Sequence, residues 1–148
     1  VFKTEDTLFL SRLIEGNYPD TRRLIPTSFP IIIEFDRSEL MDAIDRVASL
    51  NANSSASSAV KLQISEDDVI TITCSSEFGA INDTLSPTNI VISRPLNISF
   101  SAQYFMDALK AFDSERVEVK FDGERSPFIF ESETEEGLTE LVLPMSNQ

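Results

Sequence analysis

From residue 31 onwards, hydrophobic and polar positions alternate in short blocks that are separated by polar turns. Blocks such as VKLQI, VITITC, VEVKF and PFIFE predict half-buried β-strands, because successive side chains of a strand point to opposite faces. Two other stretches, 37–50 and 101–112, have their apolar residues at helical spacing. These residues are Leu40, Ile44 and Val47 in the first stretch and Phe105, Leu109 and Phe112 in the second. The pattern predicts two amphipathic helices among several strands.

The two predicted helices belong to an internal repeat with an offset of 65 residues, from Phe35 to Phe100. The block FDRSELMDAIDRV, which starts at Phe35, aligns with FSAQYFMDALKAF, which starts at Phe100. In each copy a strand precedes the helix, further strands follow it, and a polar residue stands at the helix start: Asp36 or Ser38, and Ser101. We therefore expect an α+β fold, a pseudo-twofold pair of helix-plus-four-strand units with two helices on one side and two antiparallel sheets.

The first thirty residues have a different pattern. The apolar blocks VFK and TLFLSRLI, separated by the turn-like residues 4–6, predict a β-hairpin that would be only marginally stable by itself. Beyond it, a glycine and three prolines prevent a continuous helix or central strand. We expect residues 1–15 to be the final strands of a truncated preceding domain, residues 16–30 to be an interdomain connector, and residues 31–148 to be a complete C-terminal domain.

The composition excludes several classes of catalytic and metal site. The 148 residues contain no histidine, which rules out Ser-His-Asp triads and histidine-ligated metals. Cys74 is the single cysteine and cannot form an internal disulfide or a thiolate cluster, so a reducing, cytoplasmic location is expected. The carboxylate runs at residues 66–68 and 131–136 lack the spacing of an EF-hand. The sequence therefore predicts a protein without catalytic residues, metal or cofactor.

The charge balance constrains how the chain could contact nucleic acid. Lysine and arginine number 12 against 25 aspartates and glutamates, which gives a formal net charge of −13. A protein that grips DNA over its whole surface neutralises phosphates with many cations, so any DNA contact here should be local or loose. No apolar run reaches the roughly 20 residues that a membrane helix requires, so no membrane contact is expected.

A longer motif connects the chain to a known family. The stretch SRLIEGNYPDTRRLIP resembles the connector between the middle and C-terminal domains of the bacterial DNA polymerase III beta subunit, the sliding clamp, and the terminal LVLPM resembles that family's last strand. The resemblance implies a DNA-clamp domain, the C-terminal part of a ring-shaped, non-catalytic processivity factor that encircles duplex DNA without sequence preference. It also implies a homodimeric ring for the full-length protein. For this chain alone it implies a monomer or a weak non-native dimer, because the N-terminal domain that closes the ring would be absent.

The resemblance further implies a hydrophobic groove that binds short linear motifs of DNA polymerases, clamp-loader subunits and repair proteins. Such a groove would accept leucine and phenylalanine anchors in an apolar slot, with a few polar groups to fix their register. It would be lined by Pro19, Arg23, Leu24, Ser101, Tyr104, Pro127, Leu141, Val142, Leu143, Pro144 and Met145. Tyr104 could instead be a helix core residue, and at least one of residues 141–143 should point into the core.

Two weaker assignments also follow from the resemblance. Arg46 and Lys110 would face DNA from the helices, or would be ordinary solvated helix charges. The ring interface would include Ser49 and Leu50 at the end of the first helix, together with the strand that follows. The alternative function is an independent acidic α+β adaptor domain that binds peptides and never encircles DNA.

Overall fold

The structure is a computed structural model, and it describes residues 1–17, 20–51, 59–77 and 79–146. This part of the chain contains the helices α1 (Arg37–Ala48) and α2 (Ala102–Lys110), with short 3-10 turns at Thr21–Leu24 and Ser49–Asn51. The strands are β1 (Phe2–Lys3), β2 (Leu8–Phe9), β3 (Ile31–Asp36), β4 (Ala59–Ile64), β5 (Ile70–Ser76), β6 (Gly79–Leu85), β7 (Asn89–Ile92), β8 (Leu96–Ser101), β9 (Arg116–Phe121), β10 (Phe128–Glu131) and β11 (Glu140–Val142). None of the described helices is long and apolar enough to cross a membrane.

Two antiparallel sheets form the body of the fold. One sheet has five strands in the order β11-β10-β9-β3-β7, and the other has four strands in the order β6-β5-β4-β8. Each copy of the repeat contributes its first strand to the sheet of the other copy, because β3 pairs with β9 and β8 pairs with β4. This exchange interlocks the two units and agrees with the predicted pseudo-twofold α+β fold. The first unit has one strand more than predicted, since β7 pairs with the other edge of β3.

Phenylalanines fill the centre of the second unit. Six of them are almost completely buried: Phe100, Phe105, Phe112, Phe121, Phe128 and Phe130. The ring of Phe105 on α2 stacks on that of Phe100, with centroids 4.5 Å apart, and meets Phe130 in an edge-to-face contact at 4.8 Å. Each such pair adds about 0.5–1.5 kcal/mol to the free energy gained by burial. These contacts hold one face of α2 against the sheets and leave the opposite face exposed.

The helix ends differ slightly from the prediction. Asp36 is the N-cap of α1, and its Oδ1 accepts hydrogen bonds from the backbone amide of Glu39 at 3.0 Å and from Ser38 Oγ at 2.8 Å. Ser101 occupies the N-cap position of α2, but its hydroxyl makes no capping hydrogen bond. Both helices end two residues before the predicted limits; after α1 the chain tightens into a 3-10 turn, as is common at helix ends.

We expect Asp36→Ala to lower the free energy of unfolding at neutral pH by about 1 kcal/mol, because the Glu39 amide loses its acceptor. The hydrogen bonds from the Glu39 amide and from Ser38 lower the pKa of the Asp36 carboxyl. A pKa that is lower in the folded state stabilises the fold above the unfolded pKa, and this contribution is lost as the pH falls through the folded pKa. The gap between wild type and variant in urea titrations should therefore shrink under acidic conditions.

Asp36→Asn is the matched control for this prediction. Asparagine caps a helix about as well as aspartate but does not titrate, so the variant should keep most of the neutral-pH stability. The gap between Asp36→Asn and Asp36→Ala should depend little on pH. A gap between wild type and Asp36→Ala that is equally constant would contradict the role given to the carboxylate.

The first residues of the chain pack little against this body. Strands β1 and β2 pair with each other, with Phe2 opposite Phe9, and the two rings lie 6.2 Å apart. Both phenylalanines, and Leu13 and Ile14 after them, are exposed. The predicted hairpin is therefore present in the structure. The division of the chain at residues 15 and 30 stays a prediction.

Candidate functional site

A cavity of about 480 Å³ lies between α2 and residues 140–145, which we call the C-terminal segment. We call this cavity the groove. Its lining residues are Ser101, Tyr104, Asp107, Ala108, Glu140, Leu141, Val142, Leu143, Pro144 and Met145. Most of the lining from the C-terminal segment is apolar, as a slot for hydrophobic anchors requires.

The wall formed by α2 consists of residues at helical spacing. Tyr104, Asp107 and Ala108 are separated by three and four positions, so they lie on one face of the helix. Phe105 and Leu109, on the other face, are buried in the core and fix the orientation of the helix. Tyr104 is 65% exposed, so the interpretation of this residue as a core residue is wrong. Its aromatic ring stands free for contact with a ligand.

The other wall is the C-terminal segment. Val142 lies opposite Phe128 in the pairing of β11 with β10, and its side chain is buried. Leu143, the next residue, is 62% exposed. Beyond the strand, the backbone amide of Met145 donates a hydrogen bond to the carbonyl of Ser99 on β8 at 2.7 Å. Val142 is therefore the core residue expected among residues 141–143, and the bond to Ser99 holds the end of the segment beside α2.

Seven of the predicted groove residues line this cavity, namely Ser101, Tyr104, Leu141, Val142, Leu143, Pro144 and Met145. The structure does not bring Arg23, Leu24 or Pro127 to it. Arg23 and Leu24 lie on the turn Thr21–Leu24, which has no buried residue, and Arg23 forms an exposed ion pair with Asp20 at 3.0 Å. Pro127 is partly buried just before β10. Pro19 lies outside the described residues, so its place in the groove stays a prediction.

Three groove residues were not predicted from the sequence: Asp107, Ala108 and Glu140. Asp107 and Ala108 follow Tyr104 by three and four positions, so the helical period alone could have indicated them. Glu140 is different, because its place in the groove depends on the pairing of β11 with β10. No local pattern marks it.

The two basic residues expected to face DNA have different surroundings. Arg46 Nη2 and Nε lie 2.6 and 2.9 Å from Asp83 Oδ2 on β6, so the Arg46 charge is already compensated. Lys110, at the end of α2, is exposed and forms no ion pair with a described residue. Together the helices carry three cations and four carboxylates, which makes them nearly neutral within a chain of net charge −13.

The expected ring interface stays a prediction, and the sheet topology limits how the strand after the first helix could take part in it. The strand after the first helix, β4, is hydrogen-bonded to β5 on one side and to β8 on the other, so it has no free edge for another subunit. The outer strands of that sheet are β6, which contacts α1, and β8, whose Ser99 carbonyl accepts the hydrogen bond from the Met145 amide. Ser49 is exposed, whereas Leu50 is partly buried against the core. Within the described ranges, no group of three or more acidic or cysteine side chains could hold a metal ion.

Comparison with known proteins identifies the family of this chain. Residues 22–146 match the family described as the DNA polymerase III beta subunit, C-terminal domain. The Beta sliding clamp of Staphylococcus aureus is 41% identical over 145 residues, which are 98% of this chain and 38% of that relative. The chain therefore spans well under half the length of this relative.

Solved structures agree with the sequence matches. The DNA polymerase sliding clamp of Bacillus subtilis superposes with a TM-score of 0.83 at 35% identity, over 93% of this chain and 36% of that one. The DNA polymerase III beta chain of Streptococcus pneumoniae gives a TM-score of 0.82 at 34% identity, over 92% and 36%. The family match, the relatives and the shared fold together show that this chain belongs to the family of the DNA polymerase III beta subunit and contains its C-terminal domain.

Proposed function

We propose that this chain is the C-terminal part of a ring-shaped, non-catalytic processivity factor that encircles duplex DNA, and that its groove binds short linear peptides. The peptides would belong to DNA polymerases, clamp-loader subunits and repair proteins. The observation that carries the proposal is the groove itself, in which the exposed Tyr104 faces the apolar C-terminal segment. A cytoplasmic location follows from this role in replication.

Peptide binding in the groove would be driven by burial of apolar side chains. A leucine or phenylalanine anchor that becomes fully buried contributes about 1.5–3 kcal/mol. Binding also costs free energy, because the peptide loses conformational freedom and the two molecules lose translational freedom. Two or more anchors are therefore needed, and the exposed Tyr104 and Leu143 supply apolar surface for them.

In the assembled ring, α1 and α2 would face the DNA and the sheets would lie outside. The near-neutral helices suit a protein that must slide, because strong phosphate neutralisation would slow it. The free edge of β6 is the candidate for strand addition by a second subunit, which would give the full-length homodimer. The exposed hairpin β1-β2 would supply the final strands of the preceding domain, and residues 16–30 would connect that domain to this one. An independent peptide-binding adaptor is less well supported, because the relatives continue over more than twice this length.

Tyr104→Ala tests the groove directly. We expect the variant to bind a labelled peptide with leucine and phenylalanine anchors about tenfold more weakly, because aromatic residues at the centre of such sites contribute most to affinity. Fluorescence anisotropy with the 148-residue chain is the measurement. Since Tyr104 is exposed, the free energy of unfolding should change by less than about 0.5 kcal/mol.

Gln103→Ala is the control, because Gln103 is the exposed neighbour of Tyr104 and does not line the groove. Its peptide affinity should stay within about twofold of the wild type. Equal affinity of Tyr104→Ala and Gln103→Ala would show that the peptide binds elsewhere.

A further inference from the structure

We propose that the groove selects linear peptides that carry a lysine or arginine beside their apolar anchors. This inference rests on the proposed peptide-binding function and specifies the partner. Its basis is that each wall of the groove contains one carboxylate, Asp107 on α2 and Glu140 on the C-terminal segment.

The two carboxylates are next to the surface that would hold the anchors. Asp107 lies one helical turn after Tyr104 on the same face of α2. Glu140 is the first residue of β11, opposite Phe130 of β10, and it precedes the apolar residues of the segment. A peptide whose anchors contact Tyr104 and Leu143 would therefore have its neighbouring residues close to both carboxylates.

Both groove carboxylates are unpaired within the described residues, although Lys110 lies three positions after Asp107 in the last turn of α2. Neither Asp107 nor Glu140 forms an ion pair or a side-chain hydrogen bond there, and the groove lining contains no lysine or arginine. Five of the described carboxylates do form ion pairs, among them Glu118 and Glu131, which lie 2.8 and 2.9 Å from Lys120 Nζ. The groove is thus largely apolar, with one unpaired carboxylate on each wall.

Two further features favour a cation. Asp107 lies in the last turn of α2, where the helix dipole adds partial negative charge. The exposed ring of Tyr104, on the same face, can attract a cation through its π-electrons, and arginine most often uses this contact. An acidic residue at the same place would be repelled by both carboxylates, so the groove would discriminate by charge as well as by hydrophobicity.

A matched series of peptides tests the inference. All peptides share the same leucine and phenylalanine anchors and differ in one flanking residue, which is lysine, glutamine or glutamate; parallel series place it before and after the anchors. In at least one of the two series, we expect the lysine peptide to bind the wild-type chain about three- to tenfold more tightly than the glutamine peptide. The glutamate peptide should bind more weakly than the glutamine peptide. The differences should shrink at about 1 M salt.

The double variant Asp107→Asn, Glu140→Gln should lose most of this discrimination, so that its affinities for the lysine, glutamine and glutamate peptides differ by less than about twofold. The control is Glu66→Gln, Asp67→Asn, which changes the net charge by the same amount. The control turn follows Ile64, which pairs with Leu96 at the start of β8. The groove lies at the opposite end of β8, where Ser101 lines it. The control should therefore discriminate as the wild type does.

The outcomes of this experiment distinguish failure of the charge selectivity from failure of the proposed peptide binding. Equal affinity for the lysine, glutamine and glutamate peptides would overturn the charge selectivity and leave the peptide-binding groove in place. Loss of discrimination in the control as well would also overturn it, because the overall charge of the chain would then be responsible. If none of the anchored peptides bound the wild-type chain, the proposed function would fail and this inference with it.

Discussion

Replacing Phe128 with alanine is expected to lower the free energy of unfolding by about 3–5 kcal/mol, a large part of the stability of an ordinary domain. Phe128 is fully buried on β10, between β9 and β11. Its ring lies 5.1 Å from that of Phe121, 5.5 Å from that of Phe100 and 5.7 Å from that of Phe130. The truncation would remove all of these contacts and leave a cavity that the interlocked sheets cannot easily close.

Urea denaturation of the 148-residue chain measures this effect, and Phe2→Ala is the control. Phe2 is 73% exposed on β1, so the same chemical change should cost less than about 1 kcal/mol there. A variant Phe128→Ala that has no cooperative transition would be consistent with the upper end of the expected range. A loss below about 1 kcal/mol would contradict the central position given to this ring.

Removal of residues 143–148 is expected to weaken peptide binding by about 100-fold or more. The truncation deletes Leu143, Pro144 and Met145, which form much of one groove wall. It retains Val142, the buried residue of the segment, and the whole of β11. The fold loses the hydrogen bond from the Met145 amide to Ser99, which contributes about 1 kcal/mol. The binding defect should therefore be much larger than the stability defect.

A shorter truncation separates these effects. Removal of residues 146–148 leaves every residue of the groove lining in place and should keep the peptide affinity within about twofold. Thermal melts of both truncated chains establish that they remain folded. If the longer truncation melts like the wild type and still binds the peptide, the C-terminal segment is not a wall of the binding site.

The helices and most strands could be predicted because they depend on local periodicity. The buried positions Leu40, Ile44 and Val47 follow the helical period, and the repeat offset aligns β3 with β8 and α1 with α2. Strand pairing could not be predicted in the same way. Alternation shows which face of a strand is buried but does not identify its neighbour, so the exchange of β3 and β8 between units and the central place of β4 required the structure.

The groove was only partly predictable, because some of its residues are brought there by long-range strand pairing. Tyr104 and residues 141–145 came from the resemblance, and the structure brings them together. Glu140 was missed because its position depends on the long-range pairing of β11 with β10. Arg23 belongs to a motif that identifies the family, but the motif carries no information about the packing of the connector, which is exposed here. A motif can therefore identify the family correctly while the position of its residues relative to the groove still has to come from the structure.

Titration of the chain with an anchored peptide, followed by amide chemical shifts, tests the central claim most directly. The claim is that the groove between α2 and the C-terminal segment is the binding site. We predict that the shifts cluster at Tyr104, Ala108 and residues 141–145, all of which line the groove. Shifts confined to the acidic turns at residues 66–68 and 132–137, with Tyr104 and Met145 unchanged, would contradict it.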